Sequence, residues 1–374
     1  MKGKVIVSVV AIIVLLGLTL AACASSPEEP AAPEAEKPAE EEEEEETPSA
    51  PEMEVITWQG QNANPAGSAQ YMSMERVCNN VTKASGGRLV MKPFTGGSLV
   101  PANQEIDGVD SGFLDFSYES SSWWRDKWEA AGLFNFQVAG LSPVEMNMWM
   151  ASGGMEYFQE MVDSGGVNAH LVAGVTSTPE IFMSTNTELK KLSDLEGLKI
   201  RTGGDDGVIL SRMGMAVVSV PPGEIYEAMQ RGVIDAFQLS SPYVDWTGFS
   251  TQEIADYIYL SPVRQPCEFV VYTVNQDKWA ELPDDLKALM KAVIMEEAWT
   301  YLTENATNDS AYVQKYIDYG TNVAPCPTDI EEEMLRQADI YYNEKAAADA
   351  FYNEVYSSIT SFRDSYRAAF PNGL

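Results

Sequence analysis

Imidazole is nearly absent from this 374-residue chain, which has a single histidine, His170. Ser/His/Asp catalysis and histidine-rich zinc sites therefore have almost nothing to build on. His170 itself reads as a satisfied or exposed ring. Basic residues are scarce as well: 24 Lys and Arg against 56 Asp and Glu leave a net charge of −32. Nucleic acid is excluded as a partner, because a phosphate backbone needs concentrated cations. The four cysteines show no CxxC or Cys/His spacing, so thiolate metal ligation is not indicated. A GxSxG elbow, a Walker A loop, a GxGxxG fingerprint and an EF-hand loop are also missing. The run Gly203–Gly207, GGDDG, is too short for the last of these and reads as a flexible cleft loop. Asp205 with Asp206, or Asp284 with Asp285, are nominal acid/base pairs. Adjacent carboxylates in loops face water and seldom hold the separation that glycoside hydrolysis needs.

What is present begins with the address. Lys2 and Lys4 precede an apolar run from Val5 to Leu20, too short for a comfortable membrane span and shaped like a signal segment. It closes on Leu20-Ala21-Ala22-Cys23, which resembles the bacterial lipobox. That resemblance implies removal of residues 1–22 and lipidation of Cys23, hence an extracytoplasmic protein anchored to a membrane. Residues 23–53 are rich in Pro, Ala and Glu, with Glu unbroken from Glu40 to Glu46. Like charges repel, proline blocks helix and nothing apolar is available to bury, so this stretch reads as an extended tether. With Cys23 lipidated, Cys78, Cys267 and Cys326 permit at most one disulfide. Cys78 shares a helical stripe with Tyr71, Met74 and Val81, where a buried thiol is the default.

Hydrophobic residues make up 45% of the chain, enough for a packed core, and the length suggests about two domains. After the tether, β-rich runs alternate with helical patterns. Strands are expected at 55–58, 88–94 and 114–118, with helices over 69–85, 103–110 and 145–162. A second rhythm starts near Ala169, with strands at 170–175, 180–184, 216–220 and 236–239 and helices over 207–213 and 224–231. One further strand, 268–274, precedes a chain that reads as almost wholly helical from Asp284. This is an α/β alternation with parallel crossovers. A strand that returns late in the chain points to two lobes joined by crossing strands, with ligand held between them about a hinge. The expected divisions are lobe I at 54–176, lobe II at 177–266, and a return strand plus helical segment at 267–374.

One stretch is more specific. DLEGLKIRTGG…VILSRMGMAVVSVPPGEIYEAMQRGVIDAFQLSSPYVDW, from Asp194 to Trp246, closely resembles the solute-binding subunits of tripartite ATP-independent periplasmic (TRAP) transporters. The likeness continues in Gly86–Gly112, Leu141–Gly154 and Val274–Lys287, in the family's order. The pattern PGEIYEAMQRGVID is most similar to the branch that binds 2-oxo acids and related small carboxylates. The resemblance implies an α/β two-lobe fold of the class II periplasmic-binding type with crossing hinge strands and a helical C-terminal segment. It implies an arginine that grips the ligand carboxylate through two parallel hydrogen bonds, and the matching residue is Arg201. A planar, permanently charged fork suits that task, while a structural salt bridge to Asp194 or Asp205 is the competing reading. It further implies a cation, sodium or calcium, beside the ligand. The matching positions are Glu180, the pair Gln238-Leu239, and Gln265. Glu and Gln have traded places at the first two, so the site is expected to be altered or empty, or these side chains to bond the ligand directly. Trp123 and Trp124 fall where the family presents aromatics to the ligand, and one of the two is expected to line the cleft. Tyr226 reads equally as helix packing or ligand contact.

The implied partners are a small organic carboxylate, the TRAP permease subunits and the membrane that holds the lipid. The helical tail from Tyr341 to Phe362 either clasps both lobes or exchanges in a homodimer. The competing functions are an exported acid/base hydrolase and a structural or adhesion lipoprotein.

Overall fold

In the computed structural model, residues 55–135 and 137–371 are described. The signal segment, Cys23 and the tether lie outside them. The strands are β1 (Ile56–Asn62), β2 (Leu89–Phe94), β3 (Phe116–Ser120), β4 (Ala169–Thr176), β5 (Ile181–Thr185), β6 (Lys199–Arg201), β7 (Ala216–Val218), β8 (Ala236–Phe237), β9 (Tyr257–Leu260), β10 (Phe269–Asn275) and β11 (Asn322–Pro325). The helices are α1 (Ala69–Ala84), α2 (Glu105–Asp110), α3 (Pro143–Trp149), α4 (Met155–Ser164), α5 (Gly204–Arg212), α6 (Ile225–Gln230), α7 (Pro242–Phe249), α8 (Gln276–Glu281), α9 (Asp284–Tyr319), α10 (Thr328–Ala348) and α11 (Ala350–Ala369).

Two sheets organise these elements, in the orders β2-β1-β3-β10-β4 and β11-β9-β5-β8-β6-β7. Both are mixed rather than wholly parallel. β10 enters the first sheet antiparallel to β3 and β4, and β5 runs antiparallel to β8 and β9. β11, in the segment expected to be helical, adds a parallel edge to β9. The chain therefore leaves the first sheet after β4, builds most of the second, and returns with β10. The two crossing segments run side by side, tied by Ser177 N–H to Glu268 O (2.9 Å) and Glu180 N–H to Gln265 O (3.2 Å). This is the two-lobe architecture with crossing strands that the sequence implied.

Local chemistry sets the helix boundaries. Ser68 caps α1 by accepting from Tyr71 N–H (3.2 Å), and the α1 stripe Tyr71, Met74, Cys78 and Val81 is buried. α3 opens with a reciprocal Ser142/Glu145 capping box, and Glu145 also holds Arg367 of α11 (2.7 Å). The single helix expected over 145–162 is broken by a kink at Ser152 and Gly153, the latter at φ 134°. One core fills the space between the first sheet and α1 and α9, and contains Trp58, Met74, Val77, Met290 and the stacked pair Tyr118 and Tyr272 (ring centroids 4.3 Å apart). A larger core continues from the first sheet through Ile200, Ile209 and Leu210 to Tyr341, Tyr342, Val355 and Ile359 of the C-terminal helices. The tail thus packs onto its own chain, α10 against α5 and α11 against α3.

The remaining expectations resolve simply. Cys78, Cys267 and Cys326 are free and buried. His170 stacks on Trp279 (4.6 Å). Asp284 and Asp285 are exposed, with Asp285 paired to Arg88 (2.6 Å). Among the described residues no helix is long and apolar enough to cross a membrane.

Candidate functional site

A cavity of about 430 Å³ opens between the two sheets. Asn62, Ser120 and Trp123 reach it from the first sheet's side. Glu180, Arg264, Gln265 and Glu268 reach it from the crossing segments, and Arg201, Thr202, Gly203, Gly204, Asp206, Gln238 and Leu239 from the second sheet's side. Gly204, at φ +61°, turns the chain from the end of β6 into the first turn of α5, so that backbone rather than side chain borders the cavity there.

Arg201 is the last residue of β6. Its Nε donates to Val220 O (3.0 Å) and its Nη1 to Gln238 O (2.5 Å), so two backbone carbonyls fix the plane of the guanidinium. Five N–H donors less these two leaves one on Nη1 and both on Nη2, enough for a parallel pair to a carboxylate. The competing salt bridges do not form. Asp194 accepts from Lys190 and Lys191 N–H, and Asp205 pairs with Arg125 (2.6 Å). Among the described residues Arg201 has no carboxylate partner within ion-pair distance. Burial lowers its pKa against the pull of Glu180, yet a guanidinium remains charged at any physiological pH.

Arg264, on the second crossing segment, is buried and committed to two acids. Its Nε donates to Asp206 (2.7 Å), and its Nη1 donates to Glu180 and to Ile181 O (3.4 Å). The other oxygen of Glu180 accepts from Gln265 Nε2 (2.7 Å). Burial pushes the Glu180 carboxyl up to about 7, opposed by Arg264. Asp206 is raised by burial and held down by the same arginine. Gln238 is likewise spent: its Oε1 accepts from Thr202 Oγ1 (2.5 Å) and its Nε2 donates to Phe182 O (2.8 Å). Glu268 is half-buried at the cavity, its pKa raised by burial, with no cation among the groups that act on it.

Several expectations need correction. Trp124 does not line the cavity; it is wholly buried, with its indole N–H on Glu119 (3.1 Å), so that of the two tryptophans only Trp123, 45% exposed, reaches the cavity. Tyr226 is also away from it, with its hydroxyl donating to Glu253 (2.8 Å) on the surface. The GGDDG run is not a loose loop: it enters α5, and both acids are buried in ion pairs, Asp205 with Arg125 and Asp206 with Arg264, while Asp205 also accepts from the Tyr341 hydroxyl. Leu239 lines the cavity but offers no ligating side-chain atom.

Residues 60–349 match the family described as bacterial extracellular solute-binding protein, family 7 (DctP). The chain belongs to this family. A monocarboxylate 2-oxoacid-binding periplasmic protein from a Nostoc species is 27% identical over 309 residues, covering 82% of this chain and 84% of that one. A TRAP transporter solute-binding protein from Bordetella bronchiseptica, solved with calcium and picolinate, superposes with a TM-score of 0.80 at 23% identity, covering 85% of this chain and 94% of that one. Another from Pseudoalteromonas atlantica, with sodium and pyruvate, gives 0.78 at 22%, covering 84% and 96%. As a family 7 solute-binding protein this chain is a receptor rather than an enzyme.

The cation in those relatives invites a test of fit. Both Glu180 oxygens are engaged, both polar atoms of Gln238 are engaged, and Gln265 turns its donor nitrogen toward Glu180. No group of three or more His, Cys, Asp or Glu side chains among the described residues is placed to hold a metal ion. The residues as arranged do not fit a metal at Glu180, Gln238 and Gln265. Arg264 and Asp206 are what sequence reasoning missed. The signal was the glutamate at position 180: where the resemblance implied a neutral amide, a buried carboxylate demands a cation, and Arg264 adjoins Gln265 in the chain.

Proposed function

We propose that this protein is the extracytoplasmic receptor of a TRAP transporter, anchored through lipidated Cys23, which captures a small organic carboxylate on Arg201 and delivers it to the membrane permease. The observation that carries the reading is the Arg201 guanidinium, oriented by two carbonyls, without an acid partner, in a cavity between two lobes. A carboxylate entering there exchanges water for charge-assisted hydrogen bonds in a partly dry site. Trp123 adds an apolar wall, and Thr202 with the Gly203-Gly204 backbone borders the remaining space.

Closure about the crossing segments follows from the cavity having walls on both sheets: a ligand that touches both walls stabilises the form in which they approach. Isothermal titration against a panel of 2-oxo, 2-hydroxy and unsubstituted carboxylates, with thermal shift alongside, tests the reading. Ligand at about a hundred times its dissociation constant stabilises the fold by about 2.7 kcal/mol. Failure of every carboxylate to bind would refute it. For the anchor, labelled fatty acid should appear on the wild-type chain expressed in a bacterial host and disappear with Cys23→Ser.

A further inference from the structure

We propose that Arg264 is the resident cation of the ligand site, donating from Nη2 to a second oxygen of the bound molecule, so that capture requires no added metal ion. The inference rests on the carboxylate reading of the cavity and narrows it to acids that carry a further acceptor oxygen, such as 2-oxo and 2-hydroxy acids.

Four observations lead there. Arg264 borders the same cavity as Arg201, although only 5% of it is exposed. Its Nε and Nη1 are used by Asp206, Glu180 and Ile181 O, while Nη2 takes no partner among the described residues and is not among the fully enclosed unpartnered atoms. Glu180, the one acid among the implied cation-holding positions, is already paired with this guanidinium, so an added cation there would meet a like charge a few ångströms away. Finally, the side chain cannot swing aside cheaply, because its departure would leave Glu180 and Asp206 buried without a counter-charge. A fixed donor at the border of the cavity discriminates strongly: a ligand lacking the matching oxygen leaves it unpaired.

The charge of Arg264 also reaches Arg201 and opposes its protonation. Both border the one cavity. Arg201 suits the carboxylate, and Nη2 of Arg264 suits the neighbouring oxygen.

Titration calorimetry in a chelator-treated, sodium-free choline buffer decides the matter, using paired probes of increasing chain length: pyruvate with propionate, 2-oxobutyrate with butyrate, and 2-oxoisocaproate with isocaproate. The expected result is binding of at least one 2-oxo acid ten-fold or more tighter than its unsubstituted partner. That affinity should change less than three-fold when 2 mM calcium or 100 mM sodium is added. In Arg264→Lys, whose ammonium keeps the charge but has no Nη2, the 2-oxo preference should collapse while the unsubstituted acid changes less than three-fold. Tightening of three-fold or more by either ion overturns the proposal, as does an Arg264→Lys variant of native melting behaviour that keeps its preference or loses both ligands equally. If that variant does not fold, the wild-type ion titration decides alone. Absence of binding by the whole panel is a different failure, since it removes the carboxylate reading itself and this inference with it.

Discussion

Replacing Arg201 by Lys probes the site without removing its charge. The native guanidinium spends Nε and one Nη1 hydrogen on Val220 O and Gln238 O, and offers what remains to the ligand. An ammonium is a point donor on a flexible stem and cannot hold both carbonyls while presenting two parallel bonds. The ligand thus loses one charge-assisted hydrogen bond, about 1.5–3 kcal/mol, equivalent to a roughly 10- to 150-fold weaker dissociation constant. Calorimetry on wild type and variant with the tightest acid of the panel measures this directly, with a thermal melt to confirm the fold. Arg201→Gln, which loses the charge too, should bind more weakly still. An Arg201→Lys protein that binds within three-fold of wild type would refute the argument, because a clamp built on bidentate geometry cannot survive that exchange.

Arg125→Gln should destabilise the protein by roughly 3 kcal/mol, since Asp205, 4% exposed, would keep only the Tyr341 hydroxyl as partner. Denaturant unfolding that shifts by less than 1 kcal/mol would contradict this. For pH dependence the sign follows from Glu119, buried beside Ser117 and Trp124, whose carboxyl burial pushes up to about 8, with Glu105 adding to the rise. Between pH 4.5 and 8 the folded chain keeps a proton that the unfolded chain has lost, so stability falls across that window, on the order of 5 kcal/mol, and levels off above it. Glu180, at about 7, contributes with the same sign. Melting temperature should drop from pH 5 to pH 8.5, and Glu119→Gln should flatten the slope; a flat wild-type profile would contradict the assignment. Ellman's reagent should label none of Cys78, Cys267 and Cys326 in the native protein, because all three thiols are buried and burial raises their pKa values, and all three in guanidinium. Rapid native labelling would show that the core opens.

The elements that were legible in sequence are those whose pattern is local. α1 shows its buried stripe in every turn, and Arg201 sits inside a motif that spells out strand, turn and helix. β11 was missed because it is a short edge strand ending in Pro325, and its pairing with β9 depends on residues more than sixty positions earlier. Asp205 and Asp206 were misread for the same reason. Adjacent acids look solvated until Arg125 and Arg264, respectively eighty and fifty-eight positions away, are brought to them. Trp123 and Trp124 were recognised together, but which indole turned outward depended on Glu119 waiting beneath one of them. Ion pairs between distant segments leave no periodic trace, and Arg264 with Glu180 and Asp206 at this cavity are such pairs.

α9 runs for 36 residues, about 54 Å, packing its first half on α1 and β4 and its second on α7 and β11. One unbroken rod is therefore bolted to both halves of the receptor, by Arg76 to Glu297 (2.5 Å) near its middle and by Tyr243 N–H to Asp309 (2.8 Å) further along. A shift of one half against the other would therefore have to bend this rod or slide it along one of its two seats.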